Sequence, residues 1–240
     1  MDTATNARKA AITALKRLER KGVRSVYMNG KSVEAITAPE AAPVETMQPP
    51  GSAAQDNREA LAVLAKTVST CTRCALHQSR KQTVFGVGNP RAKLMFIGEA
   101  PGADEDAKGE PFVGRAGQLL NKIIAAMGMT REEVYIGNIL KCRPPQNRDP
   151  QPSEVECCEE YLRAQIALIQ PRYICALGRI AAHWLLRTDA PLGALRSGQH
   201  TYQGIPVIVT YHPAALLRNP GFKAPCWEDM KKLMALLKEA

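Results

Sequence analysis

KLMFIGEAPG (Lys93–Gly102) decides the fold: an unbroken apolar run, Leu94 to Ile97, stops at Gly98 and gives way to a carboxylate, a proline and a second glycine. An apolar run this short, bounded by turn residues, reads as a strand buried on both faces. Three more stretches have the same character: Val134–Leu140, Arg172–Leu177 and Pro206–Tyr211. Helical periodicity appears at Ala116–Met127, Ser153–Ile169, Ile180–Arg187 and Trp227–Lys238. Strands alternating with helices predict an α/β fold with a parallel sheet covered on both faces. In such sheets ligands bind beyond the carboxyl ends of the strands, at a switch in strand order. The chemically unusual residues fall there. Gly98–Gly102 follows the first strand, Asn138–Arg148 the second and His212-Pro213 the fourth.

Outward from this core, residues 57–240 read as one domain and the remainder as an appendage, since 240 residues exceed the usual domain of about 100–150. Residues 1–31 hold eight basic residues (Arg8, Lys9, Lys16, Arg17, Arg20, Lys21, Arg24, Lys31) against Asp2 and Glu19, so this segment carries +6 of the net +9. Residues 1–37 are therefore read as a basic N-terminal extension, either a solvated tail or a DNA-binding arm. Residues 38–56, with Pro49-Pro50-Gly51, have the composition of a Pro/Ala-rich linker. The positive charge points to a polyanionic partner, because Lys and Arg neutralise phosphates and release counterions. No stretch approaches the roughly 18 uninterrupted apolar residues of a membrane helix. The N-terminus also lacks the apolar centre of a secretory signal. A cytoplasmic protein with no membrane partner is expected.

In a reducing compartment seven cysteines, an odd number, suggest metal binding before disulfides. Cys71-Thr72-Arg73-Cys74 is a chelating pair, and Cys142 and Cys158 complete a tetrathiolate if the fold joins them. The alternative, a redox dithiol, normally caps a helix after a strand, whereas this pair precedes the first predicted strand. Spacing does not distinguish zinc from an iron-sulfur cluster. Periodicity does not decide between Cys157 and its neighbour Cys158. Cys175 lies inside an apolar strand and reads as a small core residue, and Cys226 as structural or incidental.

Three long runs, GEAPGADEDAKGEPFVGRAG (Gly98–Gly117), GNILKCRPPQNRDP (Gly137–Pro150) and HPAALLRNP (His212–Pro220), together resemble the family 4 uracil-DNA glycosylases. The resemblance covers about residues 68–239, with the four cysteines in register. It implies a three-layer αβα sandwich with a central four-stranded parallel sheet. It also implies a 4Fe-4S cluster on Cys71, Cys74, Cys142 and Cys158, and hydrolytic removal of uracil from single- and double-stranded DNA. A nucleoid-associated monomer follows as the expected state; repair-machinery partners are not indicated.

The same resemblance suggests a role for each motif residue. His212 donates to the uracil oxygen on which negative charge develops, and Asn138 reads the base edge. Phe112 stacks on the flipped base, while Glu99, Ala100 and Gly102 form the uracil and water pocket. Glu105 and Asn147 match positions implicated in catalysis, and Leu216, Leu217 and Arg218 match a segment that wedges into the DNA stack. Arg73, Arg80, Lys81 and Arg143 are expected to face DNA. A related family places an Asp where this chain has Ala100. A crosslinking subgroup carries a basic, histidine-containing insertion before the Phe112 region; the short Ala107-Lys108-Gly109-Glu110 of this chain does not, and no covalent adduct is expected. The competing expectation, a non-catalytic iron-sulfur DNA-binding module, has no need of a base-sized pocket.

Overall fold

The computed structural model describes residues 52–239, with side-chain burial from residue 57. The extension expected over 1–37 lies outside the described residues, as does the linker apart from 52–56, which form the first turn of a helix. That helix, α1, spans Ser52–Ser69. After it come β1 (Val87–Gly88), β2 (Leu94–Gly98), α2 (Ala103–Lys108), α3 (Arg115–Ala126), β3 (Tyr135–Asn138) and α4 (Pro152–Ile169). The chain ends with β4 (Tyr173–Leu177), α5 (Arg179–Leu186), α6 (Leu192–Ser197), β5 (His200–Tyr202), β6 (Ile205–Thr210), α7 (Pro213–Arg218) and α8 (Lys223–Glu239).

The sheet order is β1-β3-β2-β4-β6-β5, six strands rather than four. The four expected strands are its parallel centre, in register through Phe96 with Ile136, Phe96 with Cys175 and Cys175 with Ile208. Each edge carries one short antiparallel strand, β1 on β3 and β5 on β6. The β5–β6 connection is a two-residue turn with positive φ at both Gln203 (51°) and Gly204 (82°), the hand that matches strand twist.

Alternation along the buried strands builds the three layers. Met95, Ile97, Ile174 and Ala176 face one core with α1, α4 and α5; Leu94, Phe96, Cys175 and Leu177 face the other with α3 and α8. The α4 contribution is a stripe of Val155, Cys158, Leu162, Ile166 and Ile169 at helical spacing. Pro152 opens that helix, and the Glu154 carboxylate accepts from the Gln151 N–H at 2.8 Å, satisfying an orphan donor of the first turn. Cys175 is fully buried, as a core residue should be; Cys226 is buried against Thr210.

Candidate active site

The strand order reverses at β2, which has β3 on one side and β4 on the other. Loops leaving the carboxyl ends part there, and a cavity of about 500 Å³ opens between them. It is lined by Glu99, Ala100, Gly102, Glu105, Phe112, Asn138, Asn147, His212 and Arg218, which lie far apart in sequence.

Asn138, the last residue of β3, sits at its base and is 2% exposed. Its Oδ1 is the one buried side-chain oxygen or nitrogen among the described residues without a hydrogen-bond partner. Leaving such an atom unpaired costs about 1–3 kcal/mol, so this acceptor is suited to a donor on a ligand. Gly98 lets both side chains pack against the end of β2: a Cβ there would lie 2.4 Å from Asn138 Oδ1 and 2.7 Å from Phe112 Cζ.

Phe112 adopts φ +54°, a left-handed conformation costing a non-glycine residue about 1–2 kcal/mol. Its neighbours enforce it. Glu105 Oε1 accepts from the Val113 and Gly114 N–H groups at 3.0 and 2.9 Å, and its Oε2 from the Gly102 N–H at 3.1 Å. Arg131, outside every motif, donates to the carbonyls of Pro111 and Phe112. Glu105 is thus a clamp spanning the loop, with three backbone donors engaging its carboxylate.

His212 follows β6 and caps α7; its ring lies 5.5 Å from that of Phe112. Nδ1 accepts from the Ala214 N–H at 3.2 Å, which leaves the proton of the neutral ring on Nε2. Burial, with the Arg218 charge adding to it, pushes the imidazolium down to about 4, so the ring is neutral at physiological pH. The close approach needs Gly178, at φ +92°, where a Cβ would sit 2.9 Å from His212 Cβ. Glu99 is shifted the other way. Burial, reinforced by the Asp149 charge and opposed by Arg179, raises its carboxyl to about 7.

Asn147 lines the cavity at φ +54° and accepts from Arg143 Nε at 2.8 Å, while Arg148 is held by Glu154. On α7, Leu216 is buried at 1% exposure and anchors the helix; Leu217, at 39%, points outward, and Arg218 turns to the cavity. Of the expected wedge, then, only Leu217 is an exposed apolar side chain. The lining also includes Gly178-Arg179-Ile180, beyond the third parallel strand, which the carboxyl-end rule applied to that strand would have identified.

A second, smaller cavity is lined by Cys71, Cys74, Cys142 and Cys158, joined by Cys157. Donors reach the sulfur atoms: Arg80 Nη1 to Cys142 Sγ at 3.2 Å and the Lys141 N–H to Cys158 Sγ at 3.3 Å. Cys157 instead gives its own S–H to the Arg73 carbonyl at 3.3 Å. Among the described residues no three His, Cys, Asp or Glu side chains are grouped to hold a single metal ion. The four basic residues expected to face DNA are partly engaged within the protein. Arg80 is turned to the cysteines, Arg73 pairs with Glu160 at 2.6 Å and Arg143 holds Asn147; Lys81 stays exposed.

The model of the uracil DNA glycosylase superfamily matches residues 85–231. The type-4 uracil-DNA glycosylase of Archaeoglobus fulgidus is 43% identical over 73% of this chain and 92% of its own length. The type-4 enzyme of Saccharolobus solfataricus is 42% identical over 74% and 86%, and that of Thermotoga maritima 40% over 75% and 96%. A cavity lined by an unpartnered amide acceptor, an aromatic ring and a neutral imidazole, in a sequence so similar to these enzymes, has one assignment: the chain belongs to the uracil-DNA glycosylase superfamily, with its type-4 members.

Proposed function

We propose that this chain removes uracil from DNA by hydrolysing the N-glycosidic bond, leaving an abasic site for base excision repair. The observation that carries the reading is the unpartnered Oδ1 of Asn138 beside Phe112 and His212. A base inside a duplex is out of reach, so the nucleotide is flipped into the cavity at a cost of a few kcal/mol. Leu217 fills the stack it leaves and Arg218 meets a phosphate. Phe112 stacks on the base, an interaction worth about 1–3 kcal/mol. Asn138 Oδ1 accepts the N3 proton of uracil while its amide nitrogen donates to O4; cytosine, with acceptor and donor exchanged, is refused.

The bond between C1′ and N1 then breaks, its electron pair passing to the base. His212 Nε2–H donates to O2, where the charge accumulates. A water attacks C1′ and its proton goes to the Glu99 carboxylate, the titratable group of the cavity whose proton affinity lies near neutrality. Ala100 and Gly102 shape this water pocket, Asn147 lines its rim, and Glu105 acts by holding Phe112 in place.

An excision assay on an oligonucleotide with one uracil, against thymine and hypoxanthine, tests the reading. Abasic sites formed catalytically at uracil alone support it. DNA binding without excision would support a non-catalytic binding module instead. Glu99 adds a pH signature: kcat/KM should fall about tenfold per unit below pH 7, and Glu99→Gln should flatten that limb while lowering the plateau about 100-fold. Because the folded-state pKa is raised from 4.5, the stability Glu99 contributes is fully present below pH 4.5 and is lost as pH rises through about 7. Thermal melts at pH 5 and 8 should therefore differ less in Glu99→Gln.

The cysteine cavity suits a 4Fe-4S cluster, which would have a structural role, joining the segments before β2, after β3 and on α4. Four thiolates about one zinc lie about 3.8 Å apart, whereas a cubane holds each on a different iron. N–H donors aimed at Cys142 and Cys158 suit anionic sulfur, and the Cys157 thiol, itself a donor, has the character of a non-ligand. Brown protein absorbing at about 400 nm is expected, colourless in Cys71→Ala or Cys158→Ala but not in Cys157→Ala. Stoichiometric zinc in colourless wild-type protein would refute the cluster. No helix among the described residues is long and apolar enough to cross a membrane. The protein is read as a cytoplasmic, nucleoid-associated monomer acting on single- and double-stranded DNA.

A further inference from the structure

Lys141 lies between the two cavities. It is fully buried, and its Nζ donates to two neutral oxygens: the Asn138 main-chain carbonyl at 2.7 Å and Gln165 Oε1 at 2.6 Å. Gln165, also fully buried, is fixed in turn, since its amide nitrogen donates to the Phe85 carbonyl at 2.9 Å and the Tyr135 hydroxyl at 3.0 Å. The amide cannot turn without losing both bonds, so its oxygen is held toward Lys141. The Lys141 main-chain N–H meanwhile donates to Cys158 Sγ, and the next residue, Cys142, lines the cysteine cavity.

An ammonium buried against neutral oxygens is a costly way to fill space, which Met or Leu would do at lower free energy. What Lys141 supplies that they cannot is a donor to the Asn138 carbonyl. That bond matters because Asn138 Oδ1 makes none. An unpartnered side-chain acceptor has to be aimed by its backbone, and the Asn138–Ile139 peptide is held from both sides: the Ile139 N–H donates to the Gly98 carbonyl at 3.0 Å, and the Asn138 carbonyl accepts from Lys141 Nζ. Residues 138–142 are thus a strut with the unpartnered amide at one end and Cys142 at the other, and Lys141 bonds the Asn138 main-chain carbonyl through Nζ and Cys158 Sγ through its own N–H.

We infer that Lys141, held by Gln165, is a positioning residue for base selection: it fixes the Asn138 peptide so that the amide is aimed at the base, and ties that orientation to the cysteine-lined site. The inference rests on the base-reading role proposed for Asn138. It also gives the distant cysteine cavity a bearing on substrate choice, through five consecutive residues rather than through any contact with DNA.

The test uses the full chain and a readout independent of turnover. Affinity is measured for a single strand carrying one cleavage-resistant, 2′-fluorinated deoxyuridine and for the same strand with thymine, alongside absorbance at about 400 nm. Wild type should prefer the uracil strand. Lys141→Met should lose about tenfold of that preference and Gln165→Met about threefold, with affinity for the thymine strand and the absorbance both unchanged. Preference retained in both variants would overturn the inference. So would preference lost only in proportion to absorbance, because Lys141 would then merely support the cysteine site. Should Lys141→Met fail to fold, Gln165→Met, which touches no sulfur, decides. Wild-type protein with no uracil preference would overturn the reading of Asn138 and this inference with it, before any variant is compared.

Discussion

Asn138→Asp should lower kcat/KM for uracil excision by about 10³-fold or more while leaving affinity for uracil-free DNA within about twofold. The carboxylate is nearly the same size, so the cavity keeps its shape. Its charge, however, sits buried beneath a base that becomes anionic, and it has no N–H to give to O4. Sites built to hydrogen-bond a substrate lose far more when the pattern is wrong than when a methylene is misplaced, because the unmatched groups are stranded away from water. A second substitution separates chemistry from architecture. Asn138→Leu removes the unpartnered Oδ1, so its melting temperature should equal or exceed that of wild type even as excision vanishes. Single-turnover excision, anisotropy with uracil-free DNA and thermal melts provide the three readouts. Parallel losses of binding and excision in Asn138→Asp, or a cooperative collapse of Asn138→Leu, would mean that Asn138 is structural.

The parallel centre of the sheet was legible because a strand buried on both faces has to be a short apolar run, and Leu94–Ile97 or Ile174–Leu177 can hardly be anything else. The edges were not. β1 is two residues long and β5 is His200-Thr201-Tyr202, too short and too polar for alternation to show. Helices α2, α6 and α7 have six residues each, under two turns, and leave no measurable period. The start of α1 is hidden although Leu61, Leu64 and Val68 recur at helical spacing, because its first turn shares the composition of the segment before it.

The site divides in the same way. Residues inside the three runs could be picked out, and one cavity collects Glu99, Phe112, Asn138, Asn147 and His212 from them. What holds them could not. Arg131 reaches back to Pro111, Lys141 is fixed by a glutamine 24 residues away, and Gln165 by a carbonyl 80 residues away. Such pairings have no local period or spacing, and the two that involve Gln165 are created by the packing of α4 against the sheet. Leu216 and Leu217 make the same point at short range, since adjacent leucines on a six-residue helix take opposite roles according to which one meets the core.

His212→Ala should lower kcat about 10²–10³-fold, the loss typical of removing one preorganised donor to a developing oxyanion, with DNA affinity little changed. The structure adds a condition that distinguishes this donor from a cation. Burial and the Arg218 charge hold the imidazolium pKa near 4, and the Ala214 N–H occupies Nδ1, so the donor is the neutral ring through Nε2. Activity should therefore show no loss attributable to His212 between pH 8 and 5, and the acid limb near pH 7 should survive in His212→Ala, because it belongs to Glu99. Stability should respond in the opposite sense to Glu99. With the folded pKa depressed below 6.5, the contribution of the neutral ring is present above pH 6.5 and is lost as pH falls through about 4. His212→Ala should consequently narrow the difference between melts at pH 7 and pH 4. If the variant instead abolished the limb near pH 7, the titrating group in the cavity would be His212, and the histidine and the glutamate would have to exchange their acid-base roles.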